Sequence, residues 1–320
     1  MAPQPPDPIY TFRKSMAQIN SLFVTSDNNT ELLFACTIQG FLHVWDLKTK
    51  REIKCLQICE KECLAIARLN NYFIIQERGV GLKYFGIKDN LDWEIVRTVN
   101  CDYNGFCKII VFNEDIFCPC DNGVIRIYQK NSDSILICQN EDKVNKRGEV
   151  MFMKFINYRK GLLVAYESGI VSFWTFNSNN VPRIDCERTF TDTPMCLDFC
   201  DITGEGVLGT SGEYLRKFRL DNDINECCST IITNPGVSSV AIRNDGKLVA
   251  TGCWDGKIRY FSMKHLKLLV VLDHHKEGAV QFLMFTEDIL KSNCEGTLIA
   301  AGSDGRISIW DVYTKKKLES

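Results

Sequence analysis

Residues 232–263 read ITNPGVSSVAIRNDGKLVATGCWDGKIRYFSM, and the punctuation of this stretch decides the fold. A Thr-Asn-Pro-Gly turn leads into alternating apolar residues over 237–242. Asn244-Asp245-Gly246 then turns the chain into a second alternating run over 247–252, and Trp254-Asp255-Gly256 opens a third over 257–261. Alternation places successive side chains on opposite faces of a strand, and Asp-Gly supplies the positive φ of a tight turn. The stretch predicts three consecutive antiparallel strands.

The third of these strands recurs along the chain. Seven segments run from a turn residue, usually Gly, through alternating apolar positions to an aromatic anchor: Trp45, Phe85, Tyr128, Trp174, Phe218, Phe261 and Trp310, spaced about 40–49 residues apart. Four strand-sized segments per repeat of that length mark propeller blades. The predicted fold is all-β, a single seven-bladed propeller over 1–320, with 1–8 a flexible N-terminal segment. Apolar runs beginning at Cys63, Phe106, Val150, Met195 and Ala279 are the expected central strands. Only ten residues follow Trp310, too few for a full outer strand, whereas 9–14 is a spare strand at the other end. That N-terminal strand is expected to complete the last blade and close the ring.

The repeats resemble the WD-repeat family. Trp45-Asp46 and Trp310-Asp311 keep its dipeptide at the aligned place, while Trp254-Asp255 falls in a turn seven residues before the anchor Phe261. The resemblance implies that a His before a blade, a turn Asp and the strand-end Trp form a buried network; His275 (or His274), Asp304 and Trp310 match. Trp45, Trp174 and Phe261 are likewise assigned to structure.

The 38 basic and 40 acidic residues nearly cancel, and Lys315–Lys317 reads as a solvated tail, so neither nucleic acid nor an anionic membrane is an expected partner. The start of the chain lacks the basic and apolar regions of a signal peptide, and no apolar run approaches about 18 residues. A cytoplasmic and nuclear location is expected. The 16 cysteines are scattered through predicted strands and read as reduced, small core hydrophobes.

Catalytic constellations do not emerge. Gly204 to Gly209 matches G-x-G-x-x-G but sits in a predicted hairpin, with no helix N-terminus to receive a pyrophosphate. Cys118-Pro-Cys120, and Cys196 with Cys200, lack a partnered pair at zinc spacing. No catalytic residue, cofactor or metal is expected, and the chain is read as not an enzyme.

Propeller topology puts interblade loops and the turns between second and third strands on one face. Thr233, Asn234, Pro235 and Gly236 enter the sixth blade, and Trp254 occupies its turn; Arg78, Asp121 and Glu167 hold the same turn place in other blades. Large aromatics and Arg dominate interface energetics, so these eight residues form the candidate protein-binding face. Residues 139–149, 177–183 and 286–296 are secondary candidate loops.

The opening stretch, the run 194–199 (PMCLDF), the start PPDP at 5–8 and the ending IAAGS…RISIW at 299–310 are similar to the guanine nucleotide-binding protein subunit beta-like family of WD-repeat proteins. That family and a fungal WD-repeat protein of the ASTRA complex are associated with the co-chaperone system maturing phosphatidylinositol 3-kinase-related kinases. The resemblance therefore implies a non-enzymatic adaptor supporting kinase stability and DNA-damage signalling. A G-protein β-like signalling subunit is one alternative, but Pro3, Pro5, Pro6 and Pro8 oppose an N-terminal helix, so no γ subunit is expected. An enzyme built on propeller loops is the other.

Overall fold

The computed structural model describes the chain except residues 1–5, 28–29, 89–91, 102, 130–134, 140–146, 178–180, 277, 287–293, 314 and 317–320. Seven four-stranded antiparallel sheets form a seven-bladed β-propeller. Blade 1 comprises Ile19–Asp27, Thr30–Thr37, Phe41–Asp46 and Arg51–Gln57; blade 2, Cys63–Leu69, Tyr72–Glu77, Gly81–Lys88 and Asp92–Asn100. Blade 3 comprises Ile110–Phe112, Asp115–Pro119, Ile125–Tyr128 and Ile135–Cys138; blade 4, Val150–Ile156, Gly161–Tyr166, Ile170–Phe176 and Pro182–Thr189. Blade 5 comprises Pro194–Cys200, Glu205–Thr210, Tyr214–Leu220 and Ile224–Ile231; blade 6, Val237–Ile242, Leu248–Cys253, Lys257–Ser262 and Lys267–Asp273. Blade 7 joins Val280–Thr286, Thr297–Gly302 and Ile307–Trp310 to the N-terminal strand Tyr10–Phe12. Around the whole circle, the first strand of each blade packs beside the first strands of both neighbours.

Burial follows position within the blade. Second strands such as Gly161–Tyr166 and Leu248–Cys253 are buried at every residue, because adjacent blades cover both of their faces. Outer strands such as Arg51–Gln57 and Pro182–Thr189 alternate exposed and half-buried residues, because they lie at the rim. All seven aromatic anchors fall in third strands; Tyr128 is partly buried and the other six are buried. They join apolar clusters that bridge one blade to the next, such as the one uniting Trp45 with Phe12 and Ile309.

Blade 3 departs from expectation. Its central strand is only Ile110–Phe112, and Phe106 lies outside it, 64% exposed. The backbone before the strand is satisfied by side chains instead of a ladder. Tyr103 Oη accepts the Cys107 N–H at 3.0 Å and donates to the Val150 carbonyl at 3.1 Å. Gln76 receives the Ile109 N–H at 2.9 Å and donates to the Cys107 carbonyl at 3.1 Å.

The ring closes through the N-terminus. Tyr10, Thr11 and Phe12 pair with Ile309, Ser308 and Ile307, and the Ile9 N–H donates to the Ile309 carbonyl at 2.8 Å. The paired strand is shorter than the 9–14 expected. Phe12 is buried against Trp45 of blade 1, ring centroids 5.1 Å apart in an edge-on arrangement. At the same seam Gly305, with φ +70°, brings its backbone so close that a Cβ would lie 2.0 Å from the Met16 carbonyl oxygen. Only glycine fits there. Residues 1–5 of the expected flexible segment lie outside the described residues, as does most of each of loops 139–149 and 286–296. Lys315–Lys316, read from sequence as part of a solvated tail, pairs with Cys294–Glu295 in a separate two-stranded ladder.

One polar chain pins blade 7. Trp310 Nε1 donates to Ser308 Oγ at 2.7 Å, Ser308 Oγ contacts His275 Nε2 at 2.8 Å, and His275 Nδ1 contacts Asp304 Oδ1 at 3.0 Å. Indole can only donate, which leaves the Ser308 hydroxyl hydrogen for Nε2 and puts the imidazole hydrogen on Nδ1, facing the carboxylate. His274 stands outside this chain, with Nε2 3.0 Å from Thr11 Oγ1 of the closing strand.

Two outcomes test these contacts. Phe12→Ala is expected to cost about 3–5 kcal/mol, the usual range for truncating a buried Phe; an unmoved urea midpoint for that variant, and for deletion of residues 1–16, would remove the closing strand from the stability of the ring. Asp304→Ala is expected to cost about 1–3 kcal/mol at pH 7, because the buried Nδ1–H loses its acceptor. Burial raises the Asp304 pKa, but the hydrogen bonds from His275 and from the Arg306 N–H outweigh it and hold the carboxyl below its ordinary 3.8. A depressed carboxyl stabilises above the unfolded pKa and loses that contribution as pH falls through the folded value. The wild-type advantage over Asp304→Ala should therefore shrink below about pH 4; a gap independent of pH would contradict the assignment.

Candidate protein-binding face

A recurring hydrogen bond defines the face. In six blades the residue just after the second strand donates its N–H to the carbonyl of a residue just before the first strand of the same blade. The pairs are Ile38 to Gln18, Arg78 to Glu62, Glu167 to Glu149, Ser211 to Thr193, Trp254 to Gly236 and Ser303 to Ala279, at 2.9–3.1 Å. Turns and interblade loops are thereby tied together at one end of the barrel of blades. In blade 3 the Asp121 carboxylate takes the Asn104 N–H at 3.3 Å instead.

At blade 6 this tie holds an indole in place. Gly236 has φ +95°, and a Cβ there would lie 2.2 Å from Trp254 Cδ2, so the indole rests directly on the loop backbone. Asn234 Nδ2 donates to Asp255 Oδ2 at 2.7 Å, and Arg259 grips both Asp255 oxygens at 3.0 and 2.7 Å. Burial would raise the Asp255 pKa, but the Arg259 and Asn234 hydrogen bonds bring it down to about 2. The turn therefore carries a fixed negative charge, fully paired, beside an indole that is still 46% exposed.

The structure brings Thr233, Asn234, Pro235, Gly236 and Trp254 together on blade 6. Arg78, Asp121 and Glu167 lie on the same face in blades 2, 3 and 4, with their charges already engaged. Arg78 reaches Glu62 at 2.9 Å and the Asn104 carbonyl at 2.8 Å, and Glu167 accepts the Glu149 N–H at 3.3 Å. Phe106 is the feature that the sequence reading missed: its exposed ring lies on this face beneath the Arg78 guanidinium, 4.3 Å from the centroid. Its place in an apolar run made it look like core.

Two other concentrations of polar chemistry lie elsewhere. First strands line a central cavity of about 380 Å³ that contains Lys108 and the Lys154–Asp198 ion pair, 2.8 Å apart. Lys108 donates to the Asn20 carbonyl across the tunnel, and desolvation brings its pKa down to about 8. Cys101, from the loop between blades 2 and 3, meets the Cys118-Pro-Cys120 segment with its sulfur 3.5 Å from both others. The partner that the sequence reading found missing for Cys118 and Cys120 thus comes from another loop. Hydrogen bonds from those two thiols draw the Cys101 pKa down.

Fold and face together define a seven-bladed β-propeller with its turns and interblade loops tied at one end. The family profile "WD domain, G-beta repeat" matches residues 225–262 and 266–311. The chain is similar to the mouse protein named guanine nucleotide-binding protein subunit beta-like protein 1, with 27% identity across 97% of this chain and 98% of that protein. ASTRA-associated protein 1 of Schizosaccharomyces pombe is 35% identical over 55% of this chain, a match that spans about half (51%) of that relative's length. Among solved structures, the Cps50 (Swd1) β-propeller domain of Myceliophteria thermophila superposes with a TM-score of 0.74 at 14% identity, covering 96% of this chain and 99% of that one.

The Trp254 seat has its own test. Gly236→Ala is expected to lift the indole off the loop, raising iodide quenching of tryptophan fluorescence, since Trp45, Trp174 and Trp310 are buried and Trp93 is partly covered. Unchanged quenching would mean that the indole does not rest on Gly236.

Proposed function

We propose that the chain is a non-enzymatic scaffold that receives a protein partner on the face carrying Trp254. The observation that carries this reading is a large aromatic side chain, half exposed, yet held from beneath by Gly236 and flanked by the Asn234–Asp255–Arg259 network. An immobilised indole loses little entropy on docking, and Trp, Tyr and Arg are the residues enriched at binding hot spots. Phe106 under Arg78 offers a second anchor on blades 2 and 3.

Similarity to the beta-like protein and to ASTRA-associated proteins supports a finer reading. In it the partner belongs to the co-chaperone machinery that matures phosphatidylinositol 3-kinase-related kinases, and the chain works in cytoplasm and nucleus, supporting DNA-damage signalling. Affinity capture of the full chain should retrieve co-chaperone subunits and such kinases. Trp254→Ala should reduce that recovery at least about tenfold, the effect of a lost hot spot of 1.4 kcal/mol or more, without moving the unfolding midpoint. Retention of every partner by Trp254→Ala and Phe106→Ala alike would exclude this face, and failure of the wild-type chain to retrieve that machinery would exclude the finer reading.

A further inference from the structure

The outer half of blade 1 gathers three metal-ligating side chains that alternation alone would separate. His43 lies in the third strand of the blade and is paired directly with Cys55 in the fourth. Glu52 is three residues before Cys55, a spacing that puts side chains on opposite faces of a regular strand. The register shifts between Val44 and Trp45, so that Trp45 pairs with Glu52, and this bulge returns Glu52 to the side of His43 and Cys55. His43 Nδ1 and Glu52 Oε1 are 2.6 Å apart, and one ligand atom from each of the three residues lies within 4.8 Å of the other two.

Blade 5 shows what the same positions hold elsewhere. There Arg216 pairs with Ser229, Phe218 pairs with Glu226 after an identical register shift, and Arg216 Nη1 bonds Glu226 at 3.0 Å. That arrangement is an ordinary ion pair with no metal donor except the carboxylate. Blade 1 keeps the Glu and replaces both other residues, Arg by His and Ser by Cys. The replacements remove a permanent cation and supply an imidazole nitrogen and a thiol sulfur.

We propose that His43, Glu52 and Cys55 bind a zinc ion, with the fourth position open to water or to a donor from a partner. A nitrogen, an oxygen and a sulfur suit a borderline-soft divalent ion and disfavour magnesium or calcium, which take oxygen ligands. Tetrahedral zinc with bonds of about 2.0–2.3 Å requires ligand atoms roughly 3.3–3.7 Å apart, so the ion takes the place of the 2.6 Å His43–Glu52 hydrogen bond, whose two atoms move apart by somewhat under an ångström, while the Cys55 sulfur, within 4.8 Å of both, draws in by rotamer adjustment. His43 is buried and fixed, Glu52 is mostly covered, and Cys55 is exposed, so the ion has a rigid base and an open approach. Lys14, just past the closing strand, pairs with Glu52 Oε2 and leaves Oε1 to face the site. It is the outer partner that orients the carboxylate. Binding through Nδ1 releases the Cys55 thiol proton to solvent and moves the His43 hydrogen from Nδ1 to Nε2; no electron transfer is involved.

The test uses the full chain after chelator treatment. Equilibrium dialysis against zinc should give one ion per chain, and cobalt(II) substituted for zinc should show a thiolate-to-cobalt charge-transfer band with tetrahedral d–d absorption. Cys55→Ser should abolish the charge-transfer band and weaken zinc binding at least tenfold, while Cys227→Ser, which removes another exposed thiol, should leave both intact. His43→Gln should weaken binding to a similar extent. Because Cys55 is at the surface, its variant is not expected to disturb folding, and circular dichroism of each variant checks this. A wild-type chain that binds no more zinc than Cys55→Ser, or a cobalt band that survives Cys55→Ser, would overturn the site.

Discussion

The ladder between Tyr10–Phe12 and Ile307–Trp310 is the contact on which the remainder of the ring depends. A four-stranded sheet has two faces that need covering and an outer edge that needs pairing. A circle of such sheets covers every face only if the last blade meets the first. In this chain that junction is made from the two ends of the sequence, so the largest entropic cost of closure falls at one seam. The seam is correspondingly dense. Phe12 bridges to Trp45, Thr11 meets His274, and the Met16 carbonyl fits against Gly305. The polar chain from Trp310 through Ser308 and His275 to Asp304 stiffens the strand to which the N-terminus attaches.

The blades solve the same pinning problem with different chemistry, which accounts for the degeneracy of the repeats. Blade 7 uses His275 on Ser308. Blade 4 places Arg147, from the corresponding interblade loop, 2.6 Å from Ser172 at the equivalent strand position, and balances its charge with Glu187 at 2.6 Å. Trp174 in that blade donates to Tyr166 at 3.2 Å rather than to a serine. Blade 2 uses Glu77, which accepts the N–H groups of Glu60 and Lys61 at 2.7 and 2.8 Å and pairs with Lys83 at 2.6 Å. Each solution supplies a buried acceptor or donor near the end of the second strand, and none requires the same residue types. A consensus built on Trp-Asp alone therefore finds only some blades.

This explains which parts were legible in the sequence. The period of the aromatic anchors and the spare N-terminal strand are consequences of local alternation and length, and both can be read along one strand. The exposure of Phe106 depends on Tyr103 and Gln76 replacing a ladder with side-chain hydrogen bonds, which alternation does not encode. The meeting of Cys101 with Cys118 and Cys120 depends on the packing of an interblade loop. The gathering of His43, Glu52 and Cys55 depends on a bulge that reverses strand parity. Trp254 and the loop 233–236 were legible because topology alone places a turn and a loop of one blade side by side.

At Trp254, a job that two other blades give to the turn residue is done by its neighbour. In blades 3 and 4 the turn residues Asp121 and Glu167 cap a loop N–H with their carboxylates. In blade 6 the side-chain link to the loop passes one residue further on, to Asp255, which bonds Asn234 and is neutralised by Arg259. Position 254 is thereby released from loop capping, and a polar side chain would suffice there. An indole costs solvent exposure of apolar surface at such a place and gains only part of its burial from the Gly236 backbone. Under the proposed function, a partner covers the exposed part of the ring and removes that cost.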